Sequence, residues 1–117
     1  ETVQHAVLLL GNVMIEREGR ARVLASRPIV DALLGLLWDD DVKTVRNTAG
    51  ALRSLSMEPA GRLFILQDGE AADKLSELQE HHDVSTARYA AVVVNNLRPP
   101  ARAGGGAAPG RRTGGAA

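Results

Sequence analysis

The chain of 117 residues has no cysteine, and its aromatic content is one Trp, one Tyr and one Phe. Without thiols there is no disulfide framework, no thiolate metal site and no cysteine nucleophile. This suits a reducing compartment, and the cytoplasm is the expected location. Scarcity of aromatic residues beside abundant Ala and Leu argues against an all-β fold and for helix. No apolar run approaches the roughly 18 residues needed to span a bilayer, so no membrane segment is expected. Catalytic signatures are also missing. There is no G-x-S-x-G elbow, phosphate-binding loop or paired catalytic carboxylate, which points away from an enzyme, a cofactor and a small-molecule substrate.

What is present begins with charge. Fourteen basic and fourteen acidic residues cancel. The sum hides two unlike parts: residues 1–97 hold ten basic and fourteen acidic residues, a net of −4, and residues 98–117 hold four Arg and no acid, a net of +4. That last stretch, with six Gly, six Ala and three Pro, contains nothing from which to build a core and is expected to lack a fixed fold. Its Arg are scattered and have no aromatics between them on which bases could stack, which argues against nucleic acid. Pro99 and Pro100 end the helix before them.

Sliding the sequence by 42 residues brings it onto itself without a gap. Identical pairs include Glu16/Glu58, Gly19/Gly61, Arg20/Arg62, Leu24/Leu66, Asp31/Asp73, Leu33/Leu75, Leu36/Leu78, Asp41/Asp83, Val42/Val84, Thr44/Thr86, Arg46/Arg88 and Leu55/Leu97. A period of this length marks a repeated supersecondary unit. Each unit reads as three helices. The first covers about 17–25 and 59–67, with Pro59 in an opening turn where its missing N–H costs nothing. The second covers about 28–38 and 70–80, with Ser26 or Asp68 as N-cap and a stripe of Ile29, Leu33, Leu36 and Leu37, repeated as Ala72, Leu75 and Leu78. The third covers about 42–56 and 84–97, opened by Asp41 and Asp83 as caps and buried through Val45, Ala49, Leu52 and Leu55. Residues 2–14 are a further copy of the third helix alone. The expected organisation is a leading helix over 1–15, repeats over 16–56 and 57–97, and a tail over 98–117.

The phrases VRNTAGALRSLS (Val45–Ser56) and LLGLLWDDD (Leu33–Asp41), at this period, resemble the third helix and the second-helix turn of armadillo repeats. HEAT repeats, the nearest relative, are usually two-helix units without the third-helix phrase. The resemblance implies an all-α fold of armadillo type: a right-handed solenoid of two full repeats plus a leading helix, its third helices lining a concave groove. In many members an Asn near the end of each third helix bonds the backbone of an extended partner peptide. That position falls here on Asn12, Ser54 and Asn96. The Trp that nuclear-import receptors carry four residues earlier is replaced by Leu8, Gly50 and Val92, which argues against binding of import signals. Eight residues before the Asn site, on the same helical face, stand Gln4, Arg46 and Arg88, with Arg53 nearby. These Arg favour an acidic segment of a protein partner, the alternative being that they pair with local acids such as Asp41 and Asp83.

The functional expectation is therefore a non-catalytic protein-interaction scaffold or adaptor. The MEPAGR turn (Met57–Arg62) is also similar to armadillo subunits of axonemal radial spokes, which makes a structural subunit of a permanent assembly the alternative. An accessory domain of a larger enzyme, such as a ubiquitin ligase, is a further one. Leading-helix residues Val7–Ile15 are apolar nearly all round and are expected to be buried. With no polar cap before them, the chain reads as the C-terminal portion of a longer array. The apolar run Ala90–Leu97 suggests a second surface on which another chain docks. His81-His82-Asp83 reads as a solvated turn rather than a metal site. Asp39-Asp40-Asp41 reads as capping, and Trp38 as half-buried packing.

Overall fold

The computed structural model describes residues 2–98, less the side chains of residues 2–5, 8 and 10. The tail expected from residue 98 lies outside the described residues from 99 on, as do the side chains of Gln4, His5 and Leu8. The described residues are all-helical. Helix α1 is Thr2–Val13, α2 is Arg17–Leu24, α3 is Arg27–Gly35, α4 is Val42–Leu55, α5 is Pro59–Gln67, α6 is Gly69–Leu78 and α7 is Val84–Leu97. One 3₁₀ turn, Leu36–Trp38, continues α3. Arg17, Arg27 and Val42 open the first set of three helices. Pro59, Gly69 and Val84, each 42 residues later, open the second.

The joint between units explains the identical Gly-Arg pair. A third helix ends with carbonyls that lack intrahelical partners. Arg20 Nη1 donates to the carbonyls of Met14 at 3.1 Å and Ile15 at 2.9 Å, and Arg62 Nη1 donates to that of Ser56, Met14's counterpart, at 2.8 Å. The glycine beside each Arg makes room for this approach. A Cβ on Gly19 would overlap the Val13 carbonyl, and one on Gly61 would overlap that of Leu55. Arg20 also donates Nε to Glu58 Oε2 at 2.8 Å, tying α2 to the start of α5 across the units.

Helix α4 packs along both α1 and α7, and its buried Val45, Ala49, Leu52 and Leu55 are the expected stripe. Thr44 and Thr48 are buried with it; Thr44 donates its hydroxyl to Asp41 at 2.8 Å and Thr48 to the Thr44 carbonyl at 2.7 Å, so neither hydroxyl is stranded. A core of Val30, Leu33, Leu34, Leu37, Ile65, Leu75 and Leu78 fills the space between the second helices and their neighbours. Each of the leucines contributes about 2 kcal/mol on burial.

Three expectations are corrected by the packing. The second-helix stripe runs through Val30 and Leu34 rather than Ile29, with Leu36 half-buried against the core, and Ala71 is buried where Ala72 was expected. Adjacent apolar residues fit the helical period equally well, and the neighbours decide between them. Leading helix α1 is not buried all round among the described residues: Leu9 is 52% and Val13 51% exposed, and of the helices described it is α4 that packs extensively on it. Asp41 stands at the N-cap of α4 but accepts the Thr44 hydroxyl at 2.8 Å instead of a backbone N–H, and Ser26 makes no capping bond either. Asp68 and Asp83 do cap, accepting from the N–H of Ala71 at 3.1 Å and of Thr86 at 3.0 Å.

The joint makes one glycine costly to replace and another cheap. Gly61→Ala forces a methyl into a backbone carbonyl and is expected to destabilise the fold by about 3 kcal/mol. Gly35→Ala points into open space in helical backbone and should stabilise by about 0.5–1 kcal/mol. Urea unfolding of the two variants measures both, and equal effects would disprove the close-approach account.

Candidate functional site

Polar side chains on a surface helix are free to meet a partner only where they do not serve the helix beside them. On α4 and its two neighbours both cases occur. Gly50 has no side chain to keep α7 away, and a Cβ there would sit 3.3 Å from Tyr89 Cε2. The Tyr89 ring therefore lies close against α4, and the Arg53 guanidinium stacks 5.0 Å from its centroid. A stacked cation of this kind contributes about 0.5–1 kcal/mol at an exposed site and holds the guanidinium plane in one orientation.

Between α1 and α4 this arrangement leaves a groove of about 160 Å³. Asn12 and Ile15 wall one side, Asn47, Arg53 and Ser54 the other, and Tyr89 reaches it from α7. Asn12 and Arg53 are exposed, and Ser54 is 9% exposed. Of the six residues expected at a partner site, the structure brings Asn12, Arg53 and Ser54 together here. Arg46 and Asn96 are instead engaged between α4 and α7. Arg46 Nη1 donates to Asp83 Oδ1 at 3.2 Å, and Asn96 Nδ2 donates to Ser56 Oγ at 2.9 Å. Arg88 is exposed and makes no ion pair among the described residues.

Asn47 and Tyr89 belong to the groove and were not singled out from sequence. Their signal was available: each stands seven residues before an Asn-site position, Ser54 or Asn96, which is two helical turns along one face. They are also counterparts in the 42-residue register.

Asp83 is the electrostatic centre of the α4–α7 contact. Its Oδ2 accepts the Thr86 hydroxyl at 2.8 Å and the Thr86 N–H at 3.0 Å, while Oδ1 accepts Arg46. The Thr86 bonds, then the nearby Arg46 and His81, hold its carboxyl below the ordinary Asp value. Asp41 is likewise lowered, first by the Thr44 hydroxyl. In the turn before α7, His81 Nδ1 accepts the Asp83 N–H at 3.0 Å and its ring stacks on His82 at 4.3 Å. Among the described residues no three His, Cys, Asp or Glu side chains gather in a group able to hold a metal ion. None of the helices described is long and apolar enough to cross a membrane.

No protein-family model matches the chain, and no curated protein matches it.

A carboxyl whose pKa falls on folding adds stability above its unfolded value, about 3.9, and loses it as pH drops through the folded value. Asp83→Asn should therefore be less stable than the native chain at pH 7. The gap should narrow as pH falls from about 4, where the unfolded chain takes up the proton, toward the lowered value at which native Asp83 does. Urea melts across this range would contradict the assignment if the two stability curves stayed parallel.

Proposed function

We propose that the chain is a non-catalytic interaction scaffold, built on the armadillo-type solenoid that its sequence resembles, which holds an extended acidic segment of a protein partner on its third helices. What carries this reading is the meeting of Asn12, Arg53 and Ser54, from two successive third helices, in one groove beside Tyr89. Asn12 offers an amide able to both donate to and accept from a peptide backbone, and Ser54 adds a hydroxyl. Arg53 presents a fork that suits a carboxylate in two-point contact, already oriented on the Tyr89 ring. Arg88 supplies a second positive charge further along. Arg46 acts through the scaffold rather than on the ligand, because Asp83 takes its charge. The mechanism is rigid display, with recognition by charge and backbone hydrogen bonds and with no cofactor.

A second reading, a structural subunit of a permanent assembly such as the ciliary axoneme, draws on a different observation. Leu63 is 59%, Leu66 51% and Val92 41% exposed, on α5 and α7. Apolar residues left open in this way favour a partner that stays bound.

The groove is tested by fluorescence anisotropy with a labelled peptide of alternating Glu and Ala. Arg53→Ala/Arg88→Ala should weaken binding about tenfold and flatten its salt dependence. Unchanged affinity would end this reading. Size-exclusion chromatography of the whole chain separates the two readings: a scaffold for a transient ligand elutes as a soluble monomer, and an obligate subunit aggregates or self-associates.

A further inference from the structure

The helix packing leaves one aromatic side chain without a role. Trp38, the single Trp of the chain, closes the 3₁₀ turn after α3 and is 48% exposed. The fold does not demand an indole there, since the counterpart of Trp38 in the second unit is Glu80, which is exposed. Trp38 instead walls a groove of about 330 Å³ against α6, whose Glu70, Asp73, Lys74 and Glu77 form the rest of the lining. Positions 70, 73 and 77 share one helical face, so three carboxylates stand in a row beside the indole. Lys74 Nζ donates to Glu77 at 3.0 Å. Glu70 and Asp73 are exposed and make no ion pair among the described residues.

An indole face attracts a cation, and the guanidinium group stacks on it especially well because it is planar and weakly hydrated. Carboxylates alongside exclude acidic segments and nucleic acid by repulsion. Glu70 to Glu77 spans two helical turns, about 10 Å, which suits several consecutive side chains of a peptide and exceeds what one small cation needs. We infer that this groove binds a basic, Arg-containing segment of a protein partner, with one guanidinium stacked on Trp38 and neighbouring cations paired with Glu70 and Asp73. It shares no residue with the groove between α1 and α4 and takes a ligand of the opposite charge, so either site can fail without the other.

Because Trp38 is the only Trp, its own emission reports occupancy. Titration of the whole chain with an octa-arginine peptide should change that emission saturably, and binding should weaken as salt is raised. Glu70→Gln/Asp73→Gln, at two exposed positions, should bind about tenfold more weakly. By anisotropy of labelled peptide, Trp38→Ala should lose about threefold. If that variant does not fold, judged by circular dichroism, the carboxylate variant decides alone. A silent emission, or equal affinity in the carboxylate variant, overturns the inference. So does an emission shift on removing residues 99–117 with no peptide added, which would make the chain's own basic end the occupant.

Discussion

How closely a first helix can approach the end of the third helix before it governs the whole arrangement. A helix end presents unpaired carbonyls, and another backbone can lie against them only if those groups find donors and no side chain intervenes. Gly19 and Gly61 remove the obstacle, and Arg20 and Arg62 supply the donors. Since Arg20 also holds Glu58, the same side chain sets where the following unit begins. The order of α2, α3 and α4 is then repeated by α5, α6 and α7 because the joint is repeated.

With the units joined, the polar residues of the third helices divide between two roles. Arg46 and Asn96 fasten α7 to α4, through Asp83 and Ser56. Arg53, Ser54 and Asn12 remain at the groove. Gly50 links the two roles, because the space it leaves lets Tyr89 pack closely and present its ring to Arg53. A cation on one helix is thus oriented by an aromatic ring on the next, and the groove depends on three helices although two form its walls.

The sequence made the helix positions legible because the signals that set them are local. Pro59, Asp68 and Asp83 act within a turn of where they stand, and the register of 42 carries each boundary from one unit to the other. Which side of a helix is buried was less legible. Ile29 and Val30 satisfy the same period, and only the position of the adjoining helices selects Val30. The exposure of Leu9 and Val13 has the same origin, as does the inward bond of Asn96 to Ser56. For the candidate site, three of six expected residues fall in one groove. Asn47 and Tyr89, at the same periodic position, were obscured because one is an amide and the other a phenol. An expectation built on one residue type does not see a site assembled from several.

The unequal support of α1 and α4 bears on how the groove between them behaves over time. Helix α4 is held on both flanks, whereas α1 rests mainly on α4 and leaves Leu9 and Val13 in water. Local opening costs least where few apolar contacts must be broken. One wall of the groove, carrying Arg53 and Ser54, is accordingly braced from both sides among the described residues, and the other, bearing Asn12, from one.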